Sequence, residues 1–137
     1  WRDATAPRFI GDMPHTWVGA GFVQSLRAMF AYEREDTRAL VLAAGLPWEW
    51  VASETGVGVK RLPTYYGVLS YTLRVEAPGR LRMHLTGDVS VPPTSIILQP
   101  PLPQPLKSVT VNGKPSTSFD PEHATVSEFP ADVVLEY

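Results

Sequence analysis

A chain of 137 residues, 44% of them apolar, is long enough for one domain with a core of its own, or one domain plus an appended element. Twelve basic against fourteen acidic side chains leave a net charge of -2, which gives no electrostatic hold on nucleic acid or on an anionic membrane. The absence of cysteine excludes disulfides and thiolate metal sites, and no apolar run approaches the length of a membrane span.

No signal peptide stands at the start, and a sequence beginning at Trp1 is expected to be a processed or excised piece of a longer parent. Residues 1–11 show no period and suggest an extended lead-in. Helix start signals follow, with Asp12 able to cap and Pro14 suited to a first turn. Val18, Phe22, Leu26 and Met29 then recur at helical spacing, and Trp17, Val23 and Phe30 widen the stripe. The helix is expected to end at Glu33-Arg34-Glu35-Asp36. With so few polar positions it needs neighbours on more than one side, and part of the stripe should be exposed in this piece alone.

Short strands are expected next: Ala39 to Ala44, stopped by Gly45, and Val57 to Leu62, closed by Pro63. Between them Pro47-Trp48-Glu49-Trp50-Val51 suits a single helical turn. The clearest stretch is Thr64 to Leu85, where Leu69, Tyr71, Leu73 and Val75, then Leu81, Met83 and Leu85, alternate with polar residues. Both apolar sets are odd-numbered, so the Pro78-Gly79 connection has to include a bulge or a three-residue loop to pair odd with odd. Ser95 to Leu98 is another strand. Pro100 to Pro105 is extended, and a stiff crossover between sheets outweighs a proline-motif ligand there. Asn112-Gly113 between Ser108–Val111 and Lys114 signals a type I′ hairpin, whose second strand, carrying Pro115, should lie at a sheet edge. Val126 to Phe129 and Val133 to Tyr137 complete the strands. Fourteen prolines and ten glycines among short alternating segments favour a sandwich.

Catalytic and metal signatures are weak. His15, His84 and His123 lie far apart, none at metal-ligand spacing from another ligand, so neither metal nor cofactor is expected. Neither a G-x-S-x-G elbow nor a phosphate-binding glycine pattern occurs. Asp12, Glu49, Glu54 and Asp88 are the carboxylates to weigh for glycoside chemistry, but nothing in their spacing brings two face to face across a cleft. Trp48 and Trp50 suit packing at the seam between helix and sandwich, and Tyr71 has core parity. Tyr65 and Tyr66 stay open as a stacking platform for a sugar. The segment Asp12-Met13-Pro14-His15-Thr16-Trp17 places Asp12, His15 and Trp17 at a helix start, a combination that suits sugar hydroxyls as well as a plain capped helix.

Three stretches, DMPHTWVGAGFVQSLRAMF, LPTYYGVLSYTLR and VTVNGK, in the order helix, linker, sandwich, carry a resemblance. The chain resembles the C-terminal end of bacterial glycoside-hydrolase-like proteins built on an (α/α)6 toroid, such as the α-L-rhamnosidase-like enzymes. Some of these are large exported proteins with discoidin-type (coagulation factor 5/8 type) domains. The resemblance implies that residues 1–37 are a lead-in and the last helix of an upstream toroid, and residues 38–137 a C-terminal sandwich. Catalytic carboxylates of such families sit in the toroid, so no catalytic residue is implied here. Asp12, His15 and Trp17 would border the parent's sugar cleft.

The expectation is therefore a mainly β fold, an antiparallel β-sandwich with one N-terminal α-helix packed against it. Its function would be non-catalytic and structural within a carbohydrate-active parent that is secreted or periplasmic. The expected partners are the upstream helical domain, carbohydrate, and a second copy through the helix. The alternatives are a carbohydrate-binding module using Tyr65 and Tyr66, or an assembly domain that docks through its apolar helix.

Overall fold

The computed structural model describes residues 15–92 and 95–137. A helix, α1 (Thr16–Phe30), leads directly into β1 (Ala31–Arg34), followed by β2 (Ala39–Leu42) and a short helix, α2 (Trp48–Val51). Eight more strands follow: β3 (Val57–Thr64), β4 (Gly67–Ala77), β5 (Arg80–Val89), β6 (Ile96–Leu98), β7 (Ser108–Val111), β8 (Lys114–Ser116), β9 (Ala124–Val126) and β10 (Ala131–Glu136). They form a four-stranded sheet, β1-β2-β6-β9, and a six-stranded sheet, β3-β4-β5-β10-β7-β8. Every pairing is antiparallel except β2 with β6.

Alternation along the central strands builds the core. Tyr71, Leu85 and Ala131 lie in one row across β4, β5 and β10; Leu73, Met83 and Val133 form the next. These side chains meet Leu40, Leu42, Ile96, Leu98, Ala124 and Val126 of the smaller sheet in one buried cluster. Two sheets sharing one core make a β-sandwich, as expected. The unalternated Ala39–Leu42 run is buried at all four positions, which suits a short interior strand.

Both turn expectations hold. Ala77 faces Arg80 across Pro78-Gly79, and a register shift between Val75 and Ala77 makes Glu76 the extra residue that keeps Val75 opposite Leu81. Asn112 and Gly113 take φ of 49° and 78°, Val111 pairs with Lys114, and β8 is the outer strand. Positive φ at both central positions is the type I′ geometry that twists with its strands. The proline run after β6 carries the chain from the smaller sheet to β7 of the larger one, as a crossover.

Four boundaries or contacts differ from expectation. The helix stops at Phe30, because Ala31 turns extended (φ -157°) and its neighbours pair with β2, so Glu33 and Arg34 are strand residues. Pro63 lies inside β3 rather than closing it; β3 is an edge strand with a register shift between Val59 and Leu62, where a proline's missing donor is tolerated. The last strands begin at Ala124 and Ala131, not at Val126 and Val133. Only the last turn of α1, Met29 and Phe30, packs against the core, while Val18, Phe22, Val23 and Leu26 are exposed. The Val18-Phe22-Leu26 face therefore does not cover the sandwich.

Candidate functional site

The base of α1 is seated by close backbone approach. Gly45 donates its N–H to the Met29 carbonyl at 3.2 Å, and a Cβ at Gly45 would lie 2.7 Å from the Met29 Cα, a space that only glycine leaves open. The Phe30 carbonyl accepts from the Ala43 N–H at 2.9 Å and from the Tyr71 hydroxyl at 2.9 Å. Beyond this base, none of the fifteen residues of α1 is buried. At 100° per residue Val18, Met29, Phe22, Leu26, Phe30 and Val23 fall within an arc of about 140°, and the opposite side carries Ala20, Gln24, Trp17, Ala28 and Gly21. Arg27 is the one charged residue of the helix. Such a surface is suited to burial rather than to water.

Beside this base lies a groove of about 430 Å³ lined by Gln24, Arg27, Glu33, Pro63, Thr64 and Tyr65. Arg27 Nη2 donates to Glu33 Oε1 at 2.9 Å and to the Pro63 carbonyl at 2.8 Å. Its Nη1 donates to Glu33 Oε2 at 3.2 Å and to the Ala31 carbonyl at 3.3 Å. Glu33 Oε1 also accepts the Tyr65 N–H at 3.0 Å. Burial raises the Glu33 pKa, but the Arg27 hydrogen bonds, the Tyr65 N–H and the Arg27 charge together outweigh it and hold the carboxyl below its usual range. Glu33 is thus a spent carboxylate, not a base in waiting.

The residues singled out from the sequence are scattered. Asp12 lies outside the described residues. His15 and Trp17 stand at the N-terminal end of α1, their rings edge-on at 6.0 Å, with Trp17 80% exposed. Tyr65 is 75% exposed in the β3–β4 turn, whereas Tyr66 is half-buried against the core, so the two rings do not share one outward face. Tyr65 comes together instead with Arg27 and Glu33. Sequence reasoning passed over that pair because Glu33 stands in a charge run that suits a solvated helix end. The available signal was Arg27, a lone charge in an apolar helix.

Trp48 and Trp50 do not plug a seam with α1. Trp48 is half-buried and packs edge-on against Tyr137 at 6.1 Å, and Trp50 is exposed.

The outer face of the six-stranded sheet carries an ion-pair ladder. Glu76 accepts from Arg82 at 2.8 Å and pairs with Arg80 at 3.2 Å; Arg82 also pairs with Asp132, which lies 3.7 Å from His84. The Arg82 hydrogen bond is the main cause holding Glu76 below the usual carboxylate range. Each member is spent on a neighbour, the behaviour of a solvated sheet face. A second groove, about 500 Å³, follows the crossover and is lined largely by Pro100, Pro101, Pro103 and Pro105. Gln99, Gln104 and Glu122 share its lining with these stiff rings. Among the described residues no group of three His, Asp or Glu side chains is placed to hold a metal ion. No helix among them is long and apolar enough to cross a membrane.

No family model matches the chain, and no curated protein matches it. Among solved structures it is similar to a GH127 β-L-arabinofuranosidase from Geobacillus stearothermophilus T6, at 15% identity and a TM-score of 0.47. The match covers 87% of this chain and 18% of that one, so the chain spans less than a fifth of the length of that protein.

Proposed function

We propose that the chain is the non-catalytic C-terminal β-sandwich of a carbohydrate-active, glycoside-hydrolase-like parent, with α1 as the last helix of an upstream helical toroid that the sandwich closes. The observation that carries this reading is α1 itself, an apolar helix with no buried residue and one charge, already bonded at its base. A single neighbour does not cover an arc of about 140° together with Trp17 on the opposite side, so the reading puts helices on at least two flanks. The carbohydrate context is supported by the resemblance of residues 12–30, 62–74 and 109–114. In that setting the N-terminal end of α1, with His15 and Trp17 and the preceding Asp12, borders the sugar cleft of the parent. Export of the parent to the periplasm or outside the cell belongs to the same proposal.

The parent's upstream region, expressed as a separate polypeptide, should capture this chain, and Phe22→Glu should abolish capture while leaving the sandwich's melting temperature unchanged. The chain alone should not turn over aryl glycosides of several sugars. Failure of capture overturns the reading, as does turnover that survives repurification and is lost when one carboxylate here is mutated. Docking of α1 on an unrelated protein or a second copy is the rival reading, favoured by the same exposure; a dimer lost in Phe22→Glu, with no upstream capture, would establish it. The sugar-platform reading is less well supported, since Tyr65 offers one exposed ring and Tyr66 turns inward.

A further inference from the structure

We propose that Arg27 is a positioning residue that fixes the direction in which α1 leaves the sandwich. The helix joins β1 with no intervening loop, so its one covalent pivot is at Phe30-Ala31. The ties from Gly45, Ala43 and Tyr71 all reach Met29 or Phe30, within the last turn. Ties so close to a pivot resist sliding but have almost no lever arm against tilt. Arg27 lies a turn further out, about 6 Å along the axis from Ala31, and is the outermost tie from the helix to the sandwich among the described residues. Its guanidinium reaches Glu33 on β1 and the Pro63 carbonyl on β3, and Glu33 in turn holds the Tyr65 N–H of the β3–β4 turn. The two terminal nitrogens of the planar fork pair separately with the two Glu33 oxygens while Nη2 also holds Pro63, a fixed bidentate geometry that the single nitrogen of an ammonium does not supply. The Glu33 side chain is only 7% exposed, while the Arg27 side chain is 31% exposed, so water reaches the pair chiefly from the Arg27 side.

The consequence scales with the length of the helix. Fifteen residues span about 22 Å, and a tilt of about 10° at the base moves the far end by about 4 Å. A helix to be received by a partner at one angle gains from a bracket that sets the angle beforehand, because less orientational freedom is lost on docking. The inference concerns the chain alone and holds whichever partner α1 meets.

The chain has no cysteine, so a spin-label pair can be introduced cleanly with Gly19→Cys, where a Cβ meets nothing within 4 Å, and Thr72→Cys on the outer face of β4. Pulsed electron spin resonance then reads the distribution of distances between them. One narrow distribution is expected with Arg27 present, and one at least twice as wide in Arg27→Met, with the melting temperature of the sandwich little changed. Arg27→Lys should stay wide, since charge without the fork does not restore the bracket. Glu33→Gln, which keeps the shape of the side chain, should also widen it, and it serves as the test if Arg27→Met does not fold. An unchanged width in these variants overturns the proposal, as does a width already broad with Arg27 in place.

Discussion

Tyr71 stands on the inner face of β4 at 2% exposure, with its hydroxyl 2.9 Å from the Phe30 carbonyl that closes α1. Burial pushes the pKa of this phenol well above the usual tyrosine range. The neutral form is common to folded and unfolded chains below about pH 10, so the stability that Tyr71 contributes is complete there. Above that pH the unfolded chain gives up the proton first, and stability falls as the folded pKa is approached. Tyr71→Phe should cost about 1 kcal/mol at neutral pH, because the Phe30 carbonyl keeps the Ala43 N–H as a partner. Its melting temperature should then fall less steeply than the parent chain's above about pH 10, a flattening and not an abolition, since burial shifts Tyr137 in the same sense. Parallel alkaline curves for the two chains would contradict this. Glu33 works in the opposite direction: its lowered pKa contributes stability that is complete above the ordinary glutamate value of about 4.3 and is lost as the pH falls through its folded value.

Among the elements, the β4–β5 hairpin best displays how side-chain parity dictates backbone. Glu76 is the inserted residue that reconciles a two-residue turn with odd-to-odd pairing. Deleting Glu76 should therefore leave Val75 opposite Leu81 and Ala77 opposite Arg80, removing the bulge but not the register. The expected outcome is a folded chain melting within about 5 °C of the parent, having lost only the exposed pairs of Glu76 with Arg80 and Arg82. Deleting Val75 instead keeps the same register but puts Glu76 opposite Leu81 in place of the half-buried valine, so it should melt lower than the Glu76 deletion, and a Val75 deletion that melts higher would reverse the assignment. The helix shows the other side of the same physics. Its period was plain in the sequence, but period says which residues share a face and nothing of whether that face has a neighbour.

At the scale of the whole molecule, stability rests on one core shared by both sheets, with Leu73, Met83 and Val133 in a central row. Met83→Ala should cost about 2–5 kcal/mol, a large share of the 5–15 kcal/mol typical of a domain, measurable by denaturant unfolding. A loss below about 1 kcal/mol would mean that the core collapses around the void. Such a variant should leave the capture by an upstream region intact as long as the sandwich is folded, since α1 meets this core only at Met29 and Phe30. On the proposed reading, support and docking are separable, since they meet only at the last turn of α1.

The sequence by itself determined the sandwich, the inner faces of β4 and β5, the bulge before Pro78-Gly79, the type I′ turn at Asn112-Gly113 and the crossover role of the proline run. These follow from local rules: parity along a strand, φ limits at proline, and the left-handed angles that Asn-Gly accepts. Tertiary structure alone decided that Glu33 is a strand residue, because a charge run carries no mark of which strand will pair with it. It alone set Tyr65 outward and Tyr66 inward, and brought Arg27, Glu33 and the Pro63 carbonyl together from positions 27, 33 and 63. Contacts between residues so far apart depend on how the elements pack, and packing is a property of the assembled sheets, not of any one segment.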